Sequence, residues 1–246
     1  MAASGSCFAE VLGNLVALTP GERTALERLE EHRRDIRRGA FVQRENEPSA
    51  EMFVLRKGLM MSYALMSDGS RQILRFFFPG DVLGVSAMIY DTAPESICAL
   101  SDCVVCPFER AALSALVASH PRLAALLLVV NQVERVALTD RLAMLGRTSA
   151  KARVGALLLE WRNRMRTTDS SIGDSFTLAL TQEEIGDATG LTSVHVNRML
   201  RQLEREGLIA REGSRVTLRD AAALADASDY VDRYQGLRLD WLPDPN

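Results

Sequence analysis

The sequence contains little lysine and histidine, and this limits the chemistry that it can perform. Lys57 and Lys151 are the only lysines, so nearly all of the positive charge is arginine. The three histidines, His32, His120 and His195, form no metal-ligand pair by spacing. The sequence has no nucleophile elbow, phosphate loop or zinc-protease motif, which argues against an enzyme.

Export signals and membrane-spanning runs are also missing. The apolar run near the N-terminus is broken by Glu10 and Asn14 and has no basic leader, so it is a poor signal peptide. We therefore expect a cytoplasmic protein with no membrane partner, whose four cysteines are reduced or liganded. The formal net charge of −3 does not count strongly against nucleic-acid binding, because steering depends on where the charge lies.

The segment Thr181–Leu208 predicts two short helices joined by a tight turn. Thr181 and Glu184 have the spacing of a capping box, which defines the start of the first helix. Gly190 supplies the positive φ at which the chain reverses, and Thr192 caps the second helix. This pattern is typical of a helix-turn-helix that enters a DNA groove, although a solvated helical hairpin has the same polar face.

The second of these helices has two distinct faces. Val196, Leu200 and Leu203 fall at helical spacing and are expected to pack on the first helix. The candidate DNA-binding residues lie at the caps, on the opposite face and in the hairpin that follows: Thr181, Thr192, Ser193, Val194, His195, Asn197, Arg198, Arg201, Arg205 and Arg215.

Short strands surround these helices and also fill the N-terminal half. Leu208–Leu218 alternates toward a hairpin, and Phe176–Leu180 offers a third strand, so a winged helix-turn-helix is expected. Between Phe41 and Phe108 the apolar runs are short and punctuated by turn residues, which predicts an antiparallel roll or barrel beginning near Ala40. A capping box at Thr19 predicts a helix before it.

The helix-turn-helix, the run Phe78–Gly84 and the order of the parts between them resemble those of the Crp/Fnr family of bacterial transcription regulators. The resemblance implies an α+β fold with an N-terminal cyclic-nucleotide-binding-like β-roll, a long dimerisation helix and a C-terminal winged helix-turn-helix. We expect a helix and sensor roll at 1–120, the dimerisation helix at 121–146, the DNA-binding domain at 147–220 and a helical tail at 221–246. The resemblance also allows RNA polymerase as a partner.

The resemblance raises the question of a nucleotide effector. Cyclic-nucleotide sensors of this family carry a glutamate for the ribose and an arginine–serine pair for the phosphate. This sequence has Val85 at the glutamate place and Glu95 at the arginine place, and it keeps only Ser96. A carboxylate facing a phosphate in a partly dry pocket is strongly repulsive, so cAMP is disfavoured and the effector is left open.

The cysteines offer a second sensing hypothesis. Cys98, Cys103 and Cys106 have the spacing of a plant-type iron–sulfur loop, and Cys7 could supply a fourth thiolate. Cys106 matches the internal cluster ligand of the family's oxygen-sensing members, whose N-terminal cysteine trio is missing here. Strand alternation places Cys103 opposite Cys106, which does not favour a cluster. Buried thiols, a cluster, and a thiol switch at an exposed Cys103 or Cys7 all stay open.

Apolar residues recur every seventh position after Pro121, with further ones between them, as in a two-helix seam. The seam residues are Leu123, Leu126, Val130, Val133, Ala137 and Met144. They predict a homodimer, which a pseudo-palindromic operator needs. A second apolar face that includes Leu138 and Leu142 is expected to cover the chain's own roll, and a single buried core helix is the alternative.

The expected function is that of a homodimeric, sequence-specific transcription regulator. In the family, a signal in the roll swings the DNA-binding domains about the junction near Ser149. The resemblance assigns guanine reading to Arg198, whereas Val194 replaces a base-reading glutamate. Two alternatives are a redox regulator that uses the cysteines, and a ligand-binding or protein-docking module whose winged helix does not bind DNA.

Overall fold

The computed structural model describes residues 5–244, which form two compact units. The first comprises the chain up to Leu65, Leu74–Val133 and the chain from Leu237 onward; the second comprises Met66–Ile73 and Glu134–Gly236. Helices and antiparallel sheets are mixed along the chain, which confirms the α+β class. The predicted domain ends at residues 1 and 246 lie outside the described residues.

The roll consists of eight strands: β1 (Arg34–Ile36), β2 (Phe41–Gln43), β3 (Glu51–Lys57), β4 (Met60–Leu65), β5 (Arg71–Phe77), β6 (Val82–Leu83), β7 (Ser96–Ala99) and β8 (Cys103–Glu109). They form two four-stranded sheets with the orders β1-β8-β3-β6 and β2-β7-β4-β5. β1 begins before the predicted start at Ala40. Its Arg34 and Asp35 are exposed on an edge strand, so they give no apolar alternation.

Strand β8 separates two hydrophobic cores. Val105 points into the roll, in one core with Phe53 of the neighbouring strand β3 and Ile97 of β7 in the other sheet. Its neighbour Cys106 points the other way, into a core shared with Phe8 and other helical residues. This is the alternation that a strand with both faces covered requires.

Three short helices surround the roll: α1 (Cys7–Gly13), α2 (Pro20–Arg28) and α3 (Arg110–Ser119). The capping box predicted at the start of α2 is confirmed, because the Thr19 hydroxyl accepts from Glu22 N and Glu22 Oε2 accepts from Thr19 N. The sequence did not single out α1 or α3. Both are short helices whose burial depends on the cores they cover.

Glu30 ties α1 to the roll. Its carboxylate accepts hydrogen bonds from Ser6 Oγ, from Phe8 N at 3.0 Å and from Arg56 Nη1 at 2.9 Å. The residue is only 4% exposed. A charge this deeply buried is tolerated because it is paired and hydrogen-bonded.

The long helix α4 (Pro121–Arg147) follows α3 directly. Leu123 and Leu126 are completely buried in the core that contains Phe8, and Val133 is 9% exposed. A side chain with no exposed surface cannot contact a partner, so Leu123 and Leu126 are corrected from a dimer seam to the chain's own core. Leu138 and Leu142, expected to face the roll, are exposed instead. The seven-residue repeat indicated two apolar faces of α4, but it could not show which face packs in the chain's own core.

The second unit contains α5 (Ala150–Thr168), β9 (Ser175–Thr177), α6 (Gln182–Thr189), α7 (Ser193–Arg205), β10 (Ile209–Glu212), β11 (Arg215–Leu218) and α8 (Ala221–Ala227). Ser149 caps α5 by accepting from Ala152 N at 3.1 Å. The strands form an antiparallel sheet in the order β10-β11-β9, the wing that the sequence predicts. Trp161 of α5 is buried in this unit.

The helical tail expected over 221–246 is not one continuous helix in the described residues. Helix α8 ends at Ala227, and the chain reverses at Asp229, whose φ is +49°. Gly236 also has a positive φ, of +69°, which a continuous helix does not contain.

Within residues 5–244, no single helix is long and apolar enough to cross a membrane. Helices α3 and α4 meet that length and composition only as a pair bent by 118°.

We expect Glu30→Gln to destabilise the protein by about 3 kcal/mol, because it removes the buried negative charge that pairs with the Arg56 guanidinium at 2.9 Å. The measurement is the urea unfolding transition. The control is Glu51→Gln, which breaks an ion pair with Arg34 whose side chains are 44% and 47% exposed and should cost less than about 1 kcal/mol. Equal losses in the two variants would contradict the role given to Glu30.

Candidate nucleic-acid interface and sensor residues

Local hydrogen bonds fix the turn between α6 and α7. The Thr181 hydroxyl accepts from Glu184 N at 3.2 Å, and Glu184 Oε2 accepts from Thr181 N at 2.7 Å. Gly190 ends α6 in the left-handed region, at φ +66°. Thr192 then caps α7 by accepting from His195 N at 3.3 Å. The caps and the turn are those that the sequence predicts.

Gly186 allows α6 to lie closer to this turn than any other residue would. A Cβ at Gly186 would be 2.4 Å from Leu191 O. Leu191 N also donates to Gly186 O at 3.0 Å, so both backbone polar groups of Leu191 lie against Gly186. Sequence reasoning missed Gly186. Its only signal was a glycine inside a short helix, where glycine is otherwise unfavourable.

Helix α7 buries one face and exposes the other. Val196, Leu200 and Leu203 are buried as predicted, and Met199 joins them. At the first turn, Val194 is 80% exposed. An apolar side chain this exposed gains no stability from its own chain, so the first turn of α7 presents it to solvent.

The other predicted interface residues fall into three groups. Ser193, Arg198, Arg201 and Arg205 are exposed, whereas His195 and Asn197 are half-buried on the same helix. The hydroxyls of the exposed Thr181 and Thr192 accept the capping bonds. Arg215 lies on the wing, where its Nε donates to Ser175 Oγ at 2.7 Å.

Two acidic side chains at the end of α7 form ion pairs with basic side chains of other elements. Arg211 of β10 hydrogen-bonds Glu204 at 2.7 Å and lowers the pKa of that carboxyl. Lys151 of α5 does the same for Glu206, also at 2.7 Å, and lowers its pKa. In the part of the chain that the structure describes, three exposed guanidinium groups of α7 have no ion-pair partner: Arg198, Arg201 and Arg205.

Two further contacts hold α6 in place and were missed. Arg153 of α5 donates from Nη1 to Thr189 O at 2.7 Å, which satisfies a free carbonyl at the end of α6. Asp187 pairs with Arg71 at 2.7 Å, and Arg71 lies in the short segment Met66–Ile73 of the same unit. Both depend on residues distant in sequence, so no local pattern could have indicated them.

The residues at the expected nucleotide-binding positions do not fit a cyclic nucleotide. Burial raises the pKa of Glu95, against the opposing effects of Ser62 and Arg75. Ser96 is buried, and its hydroxyl already accepts from Glu45 N at 3.0 Å. Val85 has no group that could bind a ribose hydroxyl. A phosphate here would face a carboxyl group where the family's sensors offer a cation.

The cysteines are not arranged as a cluster site. Cys98 lies on β7, while Cys103 and Cys106 point to opposite faces of β8. Across residues 5–244, no three His, Cys, Asp or Glu side chains are placed to hold a metal ion.

Cys103, expected to be exposed, is only 3% exposed, because its side of β8 faces the roll interior. Burial raises the pKa of Cys7 and Cys103 and raises that of Cys106 to about 11. A raised pKa keeps a thiol protonated and unreactive, so this geometry does not favour the thiol switch.

Two protein families match this chain. The cyclic nucleotide-binding domain family matches residues 33–120, and the Crp-like helix-turn-helix domain family matches residues 152–227. The nitrogen fixation regulation protein FixK of Azorhizobium caulinodans is 35% identical over 189 residues, which cover 76% of this chain and 75% of FixK. The transcriptional activator protein Anr of Pseudomonas aeruginosa is 29% identical over 211 residues, which cover 85% of each.

The fold is likewise similar to solved structures. FixK2 from Bradyrhizobium japonicum superimposes with a TM-score of 0.73 at 28% identity, covering 82% of this chain and 98% of FixK2. A mutant of CooA from Carboxydothermus hydrogenoformans, at 17% identity, shares the fold with a TM-score of 0.67.

We expect Glu95→Gln to stabilise the protein near neutral pH. Because folding raises the pKa of Glu95, the wild-type carboxyl stabilises the fold when protonated and loses that contribution as pH rises through the raised value. Glutamine does not ionise, so the stability difference should grow as pH rises above the ordinary glutamate pKa of about 4.3. Thermal unfolding measures it, with Glu47→Gln as the exposed control. A pH-independent difference would contradict the prediction.

Proposed function

The chain belongs to the Crp/Fnr family of bacterial transcription regulators, and we propose that it acts as a homodimer on an inverted-repeat operator. One observation carries the proposal: a capped α7 presents Val194 and three unpaired arginines on one face, beside a three-stranded wing. A chromosomal operator would require a cytoplasmic protein, and we include that location in the proposal. The chain is a DNA-binding regulator and not an enzyme, and no specific observation favours a docking module.

Base reading is assigned to the first turns of α7. Arg198 can give two N–H groups to guanine O6 and N7, and Asn197 matches the edge of adenine. Val194 can meet a thymine methyl but accepts no proton, so an operator read by a glutamate at this place does not transfer. Ser193 also lies within this first turn and could reach a base edge.

Phosphate contacts are assigned to the cations farther from the helix start. Arg201 and Arg205 extend the exposed cationic face along α7, and Arg215 adds a cation on the wing. His195 and the caps Thr181 and Thr192 lie where a phosphate could pass the helix start, which favours anions. Such contacts supply affinity and register without sequence choice.

The homodimer is assigned to the exposed face of α4. Leu128, Leu138 and Leu142 are 63%, 42% and 71% exposed, respectively. They occupy alternating three- and four-residue steps together with Asn131 and Arg135, which is the spacing of a two-helix seam. A polar residue at such a seam, here Asn131, specifies register. Of the residues assigned from sequence, Val130, Ala137 and Met144 are half-buried and stay candidates at its margin.

We expect Arg198→Ala to cost about 1–3 kcal/mol of operator binding and to relax the choice of one base pair. Arg205→Ala should weaken operator and random DNA alike and reduce the salt slope by about 1. An operator is first selected from random duplexes, and both variants are then titrated at several salt concentrations. Equal losses on operator and random DNA for Arg198→Ala would contradict its assignment.

Replacing Leu138 and Leu142 together by glutamate should convert the dimer to a monomer, because each charge would be buried against its symmetry mate. Sedimentation equilibrium measures the mass. Val117→Glu is the matched control, since Val117 is also exposed but lies on α3. A double variant that sediments as a dimer would show that the seam lies elsewhere.

A further inference from the structure

The residues that follow the segment matched by the Crp-like helix-turn-helix family return to the junction between α4 and α5. The match ends at residue 227, where α8 also ends. After Asp229 the chain reverses, and Tyr230 N donates to Ala225 O at 3.0 Å. The next residues, Tyr230–Tyr234, reach both helices and are named the clamp.

The clamp is bound to α4 by two side chains. Arg233 donates to Asp140 from Nε at 2.6 Å and from Nη2 at 3.2 Å, in a two-pronged ion pair. Tyr234 donates from its hydroxyl to Glu134 Oε1 at 2.8 Å. Asp140 and Glu134 are almost two turns apart, so the clamp engages a length of α4 rather than a single point.

The same residues are bound to α5. Asn163 donates from Nδ2 to Asp232 Oδ2 at 3.0 Å and to the Tyr230 hydroxyl at 3.3 Å. The guanidinium of Arg164 lies 4.5 Å from the centre of the Tyr234 ring. Tyr234 therefore contacts both helices at once.

The start of this segment is seated on α5 by a close approach. Ser228 is buried, and a Cβ on Gly155 would lie 2.2 Å from Ser228 Oγ. Only glycine at position 155 leaves room for this contact. The segment is thus anchored on α5 before the clamp crosses to α4.

Apolar packing alone does not define the angle between α4 and α5. A cavity of about 300 Å³ lies between these helices, the end of α6 and the clamp. Two ion pairs link the helices directly: Arg141 Nη2 to Glu160 Oε1 at 2.6 Å, and Arg164 Nη1 to Glu134 Oε1 at 3.6 Å. Where packing is incomplete, directional polar bonds decide the geometry.

We propose that the clamp is a positioning element that sets the angle between α4 and α5, and thereby the separation of the two α7 helices in the dimer. The proposal rests on the proposed function, because that separation matters only for two half-sites. Half-sites about one helical turn apart demand a fixed separation. The clamp supplies this rigidity from outside the helix-turn-helix domain itself.

The experiment measures how strictly half-site spacing is read. Arg233→Ala and Asp140→Asn each remove the ion pair, from the clamp and from α4 respectively. Each variant is titrated with the selected operator and with operators that have one or two base pairs inserted or removed between half-sites. Arg238→Ala is the control, because Arg238 follows the clamp by four residues and its side chain is 89% exposed.

Wild type and Arg238→Ala should bind only the selected spacing tightly. Arg233→Ala and Asp140→Asn should bind it several-fold more weakly and lose less when the spacing changes, and the double variant should be no worse than either single one. Without DNA, the amides of Thr148 and Ala152 at the junction should exchange hydrogen faster in the two clamp variants than in the control.

Two results would overturn the clamp: strict spacing retained in Arg233→Ala, or a uniform loss at every spacing with unchanged exchange at the junction. A wild-type protein that binds all spacings equally would instead overturn the proposed function. In that case the exchange data would still show whether Tyr230–Tyr234 restrains the junction.

Discussion

The recognition surface depends on one close backbone approach, that of Gly186 to the carbonyl oxygen of Leu191. Because glycine has no Cβ, the turn lies directly against α6, and the apolar face of α7 meets the helices beneath it. What α7 exposes is then fixed by its helical period. A side chain at position 186 would meet the carbonyl oxygen of Leu191, so the turn that leads into α7 would have to shift. The bond from Arg153 to Thr189 O holds the same corner from α5.

The net charge of the whole chain does not describe the surface of α7, because many carboxylates form ion pairs within the fold. Glu22 pairs with Arg122, Glu30 with Arg56 and Glu160 with Arg141, each within 3.0 Å. These pairs join helices to the roll or to one another, and they cancel locally. Among residues 5–244, the exposed arginines of α7 form no such ion pair, so their guanidinium groups can bind an anionic partner although the whole chain is acidic. Arginine serves both uses, since its planar donors bind carboxylates and phosphates alike.

The roll keeps a cyclic-nucleotide-binding fold while its residues disfavour the nucleotide. Glu95 stands where a phosphate would need a cation, and burial favours its protonated form. The buried cysteines supply no alternative metal site. Helix α4 belongs to the roll core over its first half and to the second unit over the rest, so one unbroken helix serves both cores. Its two apolar faces differ in burial: Leu123 and Leu126 lie in the chain's own core, whereas Leu128, Leu138 and Leu142 are exposed.

Features that depend only on neighbouring residues could be predicted before the fold was known. The caps at Thr19, Thr181 and Thr192 and the turn at Gly190 are made by bonds that span three or four residues, so their spacing specifies them. Tertiary structure alone decided which apolar face of α4 is buried, that Cys103 faces inward, and that the chain after Ala227 leaves the helix to bind α4 and α5. The periodicity of a helix or strand shows which residues share a face. It does not show what that face packs against, because long-range packing decides that contact.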